Sequence, residues 1–206
     1  MDGGVIVVLR TFPVLLLCAA LVPALSGCFP LAAGGLVAGA LAVDDRRTLA
    51  TQAEDRTIQL KAESRIAEQF RGRANVNVTA YNRRVLLTGE VPDANARAEA
   101  ARMAGAVENV VSVANELQIG GMSSMTARSN DSILTGKVKG NMVDDPQVQA
   151  NTVKVVTEAS VVYLMGLVTR EEGDRAAAAA ARTSGVKQVV KVFEYIPAPP
   201  RAAEKK

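Results

Sequence analysis

Val76-Asn77-Val78-Thr79, followed by Val85-Leu86-Leu87-Thr88-Gly89-Glu90-Val91, recurs 77 residues later as Val153-Lys154-Val155-Val156 and Val162-Tyr163-Leu164-Met165-Gly166-Leu167-Val168. Self-similarity at a fixed spacing marks a duplicated structural unit. Each copy continues through an alanine-rich helical stretch to a Val-x-x-Val step: Ala106-Val107-Glu108-Asn109-Val110 in the first, Gly185-Val186-Lys187-Gln188-Val189 in the second. There the spacing is 79, so two residues are gained in the intervening helix or its exit loop.

Within a copy the order reads helix, strand, strand, helix, strand. In the first copy Ile58, Ala62, Ile66 and Phe70 recur at helical spacing and make one apolar face, with Asp55 expected to accept bonds from the free amides at that helix's start. Val76 and Val78 alternate with polar neighbours, and a turn at Tyr81–Arg84 makes Val85–Val91 their hairpin partner. Pro92-Asp93 opens a second helix, whose Ala98, Ala101 and Met103 would allow close approach to the sheet. In the second copy Thr169 and Glu172 have capping-box spacing. The last strand follows a helix and pairs parallel to its predecessor through a crossover. The expected fold is α+β: two tandem αββαβ units, each a three-stranded mixed sheet with two helices on one face. At about seventy residues such a unit has a marginal core, and its Val, Leu and Ala are that core. Gly89 and Gly166 mark a bulge or a close helix approach.

The chain starts with an apolar segment, Val5–Val8 and Phe12–Leu25, broken by Arg10 and too short to span a bilayer but suited to a signal-peptide core. It closes on Leu25-Ser26-Gly27-Cys28, which resembles the lipobox of bacterial lipoproteins. The resemblance implies a diacylglyceryl group on the Cys28 thiol, cleavage after residue 27 and acylation of the new amine. Asp2 and the lone early cation Arg10 depart from the usual positive start and point to translation beginning later. Cys18 would leave with the signal peptide, so no disulfide forms and no thiol remains for metal or redox work. Two or more acyl chains, at about 0.8 kcal/mol per buried methylene, make a lasting anchor. Phe29 after the cysteine, where aspartate retains lipoproteins at the inner membrane, implies the outer membrane. Leu31–Val43 is too short to span hydrocarbon; Gly35 and Gly39 leave a pliable tether or a dimerisation helix as its readings.

The formal charge is +3, yet residues 44–120 and 130–196 are each balanced, and the excess lies in Arg128 and the tail. A nucleic-acid binder needs a basic stripe with aromatic stacking partners; aromatic content is 3% and no stripe is visible. With no histidine and no spare thiolate, triad catalysis and the usual zinc sites are excluded. The carboxylate pairs Asp44-Asp45, Asp144-Asp145 and Glu171-Glu172 read as linker, loop and helix-start residues. The expectation is a non-enzymatic protein without cofactor or metal.

The duplicated αββαβ order, the glycine late in each second strand and the Gly-Val-x-x-Val step resemble the BON domain, with Ala106 departing from that step in the first copy. Two such units behind a lipobox are similar to dual-BON lipoproteins of Gram-negative outer membranes. The likeness lays the chain out as signal peptide 1–27, lipidated tether 28–45, first BON domain 46–120, linker 121–129, second BON domain 130–196 and disordered tail 197–206. It also implies anionic phospholipid as ligand, a role in envelope integrity, and contact through the first helix of the second domain. There Leu134, Val138 and Met142 would line the core, while Ile133, Lys137 and Lys139 would face acidic headgroups. Gly136 and Gly140 would let that helix firm up on contact. The same segment also reads as an ordinary amphipathic core helix with two solvated lysines. A rival function is a periplasmic scaffold for envelope proteins, docking through Arg83-Arg84 at the first hairpin turn.

Overall fold

The computed structural model describes residues 45–198. Cys28, the signal segment, most of the tether and the tail from residue 199 lie outside the described residues.

The first unit opens with helix α1, Leu49–Phe70, capped by Thr48, whose hydroxyl accepts from Thr51 N. Ile58, Ala62, Ile66 and Phe70 form its buried face, as the spacing predicts. Asp55 does not cap this helix. It lies in the second turn, 3% exposed, and its carboxylate accepts from Asn82 N and Arg83 N at 2.7 Å each. Those amides belong to the turn joining strand β1, Asn75–Tyr81, to antiparallel strand β2, Arg84–Val91. Asn82 and Arg83 both hold positive φ, 49° and 62°, as a two-residue hairpin demands. The helix therefore holds the hairpin through a buried charge, a contact that one-dimensional cap spacing cannot distinguish from a helix start.

Helix α2, Ala94–Gly105, is capped by Asp93. Ala96, Ala100 and Ala104 give its closest approach to the sheet; Ala98 is exposed, and Ala101 and Met103 pack only partly. Strands β3, Ser112–Asn115, and β4, Gln118–Ile119, continue in one register parallel to β2, with the buried Leu117 between them.

The second unit repeats the plan. Helix α3, Met125–Asp144, is capped by Ser124 and begins before Asn130, so residues placed in the linker are helical. Strands β5, Val153–Glu158, and β6, Val161–Val168, form the hairpin. Helix α4, Arg170–Ala181, starts in the reciprocal Thr169–Glu172 capping box, and strand β7, Gln188–Tyr195, lies parallel to β6. Asp131 does for this hairpin what Asp55 does for the first: it accepts from Ala159 N and Ser160 N at 2.9 Å each.

Gly89 is fixed by the backbone of the neighbouring strand β1, and Gly166 by the 3-10 turn Ala150–Thr152 that leads into β5. A Cβ at Gly89 would sit 2.0 Å from the Asn75 carbonyl oxygen and one at Gly166 would sit 2.5 Å from that of Thr152.

Each sheet carries its helices on one face, with Val85 and Leu87, or Val162 and Leu164, beneath them. The opposite faces pack on one another. Tyr81 and Leu86 of the first unit meet Tyr163 and Met165 of the second, all at most 4% exposed. Burying side chains of this size contributes about 1.5–3 kcal/mol each, enough to make the pair one body. The rim is polar: Asn77 donates to Glu158 at 2.9 Å, and Asn82 and Arg84 both donate to Glu194. Arg46 crosses from the first unit to a bidentate pair with Glu172 and to the Leu167 carbonyl.

Candidate functional site

The sequence of α3 separates two faces. Leu134, Val138 and Met142 recur every fourth residue and are 7%, 0% and 1% exposed. At about 100° per residue the opposite side carries Met125, Ser129, Ile133, Gly136, Gly140 and Val143. None is charged. Met125, Ile133 and Val143 are 71%, 58% and 68% exposed, an uncommon density of solvated apolar side chains on one stripe. Lys137 and Lys139 do not converge on Ile133; they flank the stripe on opposite sides, both exposed. Sequence reading singled out Ile133 and missed Met125 and Val143. Met125 and Val143 stand eighteen residues apart, five full turns, on one line about 80° round the helix from Ile133, and that repeat was the available signal.

Gly136 and Gly140 lie within the unbroken α3 helix, and a Cβ at either would meet no neighbouring atom, so core packing does not require glycine there. Their smallness leaves the stripe low between the two lysines.

The first unit supplies an internal comparison. Matching Thr48 to Ser124 and Asp55 to Asp131 places Thr57, Lys61, Glu63 and Ala67 opposite Ile133, Lys137, Lys139 and Val143. The outward face of α1 thus keeps one lysine, exchanges the other for an acid and replaces the central isoleucine by threonine. That face of α1 also exposes Leu49 and Leu60, so what distinguishes α3 is its second lysine and its central isoleucine.

At the Arg83-Arg84 turn the two cations differ: Arg83 remains half exposed and Arg84 is engaged between the domains. Arg84 Nε is bound to Glu194 across the interface at 3.0 Å, while Arg83 sits 3.9 Å from Glu54. Among the described residues no helix is long and apolar enough to cross a membrane, and no group of three His, Cys, Asp or Glu could hold a metal ion.

The interface shifts several ionisations. Burial pushes the Tyr163 phenol up to about 12, reinforced by Glu116 and Glu158. The Glu172 carboxyl is held down at about 2, chiefly by the Arg46 guanidinium and also by the Thr169 amide.

Comparison with known proteins agrees with this architecture. The chain is 40% identical over 174 residues to the outer membrane lipoprotein DolP of Haemophilus influenzae, covering 84% of this chain and 90% of that protein. It is 32% identical to a 21 kDa hemolysin of Actinobacillus pleuropneumoniae over 74% of this chain and 79% of the relative. It is 31% identical to the osmotically-inducible protein Y of Escherichia coli, over 56% of this chain and 59% of that one. The BON domain pattern matches residues 54–121 and again 130–197, the two units described above. With both sheets, both hairpin-anchoring aspartates and both pattern matches in place, the chain belongs to the BON domain family and carries two copies of the domain.

Proposed function

We propose that this protein is an outer-membrane lipoprotein, anchored through acylated Cys28 and facing the periplasm, whose second BON domain binds anionic phospholipid and supports envelope integrity. The observation that carries the reading is the α3 stripe: Met125, Ile133 and Val143 exposed, with Lys137 and Lys139 on its two sides. An apolar strip between cations suits the boundary between acyl chains and acidic headgroups, where each nearby lysine contributes about 1 kcal/mol. The paired lysines and the central isoleucine, where α1 has one lysine, an acid and a threonine, favour the second domain for this role. The name of the Haemophilus relative supports the compartment. The lipobox-like Leu25-Ser26-Gly27-Cys28 supports the anchor. The role is one of binding, without catalysis.

Co-sedimentation of the non-acylated chain with phosphatidylglycerol vesicles tests the reading. Ile133→Glu removes an apolar contact and adds a like charge to the lipid, so binding should fall more than tenfold; Thr57→Glu on α1 should change it little. Unchanged binding by Ile133→Glu would remove the assignment. Failure of the wild-type chain to bind any vesicle, with a stoichiometric protein partner captured by crosslinking, would favour the scaffold role.

A further inference from the structure

The two domains differ at one equivalent place. In the first, Arg47 stands one residue before the helix cap Thr48 and turns into the fold. Its Nη1 reaches Asp55 Oδ2 at 2.8 Å, its Nε and Nη2 donate to the Asp45 carboxylate at 3.1 and 2.7 Å, and its guanidinium carbon lies 3.8 Å from the centre of the Tyr81 ring. A buried carboxylate that holds a hairpin turn thereby receives a cation, and an aromatic face closes the seat.

In the second domain the same positions are Ser123, Asp131 and Glu158. Ser123 precedes the cap Ser124 as Arg47 precedes Thr48, and its Oγ is buried without a hydrogen-bond partner. Asp131 and Glu158 are 7% and 6% exposed, and among the described residues no cation forms an ion pair with either. Between them lies a cavity of about 250 Å³, completed by Asn77 and Thr88 of the first domain and by Thr135 and Arg128. The Arg128 guanidinium is turned toward the Met125 sulfur, at 3.0 Å. Two carboxylates, hydroxyl oxygens and an amide thus surround a space where the sister domain seats a guanidinium. Burying carboxylate charge without a cation is costly, and burial pushes the Glu158 carboxyl above its ordinary pKa, with Glu90 and Asp131 adding to the effect against the Asn77 bond.

We propose that the cavity between Asp131 and Glu158 is a binding site for an alkylguanidinium group, free or on the arginine side chain of a partner polypeptide, held by Asp131 as Asp55 holds Arg47, with Glu158 in place of the Asp45 carboxylate, whose position is Gly121 here. Asp131 and Glu158 supply the charge-assisted hydrogen bonds, and Thr88 and Asn77 bring the first domain into the site. Arg128 at the rim is a competitor for the same carboxylates.

The test is a titration of the full mature chain, in nonionic micelles at constant ionic strength, with ethylguanidinium chloride, following the Ala159 and Ser160 amides by NMR. Saturable shifts confined to this turn and the Asp131 region are expected, with tetramethylammonium giving none. Ser123→Arg, which supplies from within the cation that the first domain already has, should abolish the response and raise Tm by about 2–4 °C. Glu158→Gln, which keeps the shape, should weaken binding about tenfold, and Arg128→Ala should strengthen it. A blocked Ala-Arg-Ala peptide binding more tightly than ethylguanidinium identifies a polypeptide as the source; equal binding identifies a free small cation. No saturable response, a response unaltered by Ser123→Arg, or a response that appears only in Arg128→Ala would overturn the proposal, the last by making Arg128 itself the occupant.

Discussion

Removing the Asp131 carboxylate should destabilise the protein far more than its place in a solvent-facing helix suggests. Asp131→Ala deletes two charge-assisted hydrogen bonds to the Ala159 and Ser160 amides, both 2.9 Å. Hydrogen bonds to charged groups contribute about 1.5–3 kcal/mol each, and relief from burying the carboxylate returns part of the sum. The turn it holds is itself strained: Ala159 and Ser160 adopt φ of 51° and 65°, a region that costs residues with a Cβ roughly 1–2 kcal/mol each. The expected loss is therefore about 3–4 kcal/mol. Urea denaturation followed by circular dichroism reads it as a fall in midpoint at unchanged slope. Adding Ser160→Gly to Asp131→Ala should recover about 1 kcal/mol, because glycine enters the left-handed region without that cost. A loss below 1 kcal/mol, or no recovery with glycine, would refute the view that the helix carboxylate holds the hairpin.

Three further outcomes follow from particular contacts. Gly89→Ala should cost more stability than Gly166→Ala, since its Cβ would meet the Asn75 carbonyl at 2.0 Å on a backbone of φ 107°; thermal denaturation that ranks them the other way contradicts the close-approach account. Leu86→Asp, at a fully buried position between the sheets, should separate the domains, raising the radius of gyration in small-angle scattering and speeding amide exchange in β6; an unchanged radius would deny that this face joins them. Arg46→Ala should cost about 1–2 kcal/mol at neutral pH, reduced from the full value of a charge-assisted pair by solvent screening. Because the folded Glu172 carboxyl is depressed to about 2, this contribution is present above the ordinary carboxylate range and is lost as pH falls through about 2. The difference between wild type and Arg46→Ala should be flat from pH 7 to 5 and close below 4; a difference that grows on acidification would contradict it.

The repeat, the hairpins, the capping box and the core stripes of both first helices were legible because each rests on local periodicity or a short cap pattern. Asp55 was misread for the opposite reason: its partners, the Asn82 and Arg83 amides, lie 27 and 28 residues away, and an acid near a helix start looks the same whether it caps that helix or a distant turn. Packing of the two sheets was written in the chain but not extracted. Val85-Leu86-Leu87 and Val162-Tyr163-Leu164-Met165 are apolar on both faces, although the helices cover only one, and a strand of that kind requires a second apolar layer. On α3 the lysines and Ile133 were visible by spacing. Met125 was not, because the Gly-Ser-Met composition before it reads as linker and hides the Ser124 cap.

The most direct measurement is membrane depth by site-directed spin labelling of the non-acylated chain on phosphatidylglycerol vesicles, with a nitroxide at position 133 and, separately, at the equivalent position 57. The account predicts that the label at 133 is shielded from aqueous relaxation agents and exposed to oxygen dissolved in the acyl region, while the label at 57 stays in water. Equal aqueous exposure at both positions, or immersion of 57 in place of 133, would contradict it.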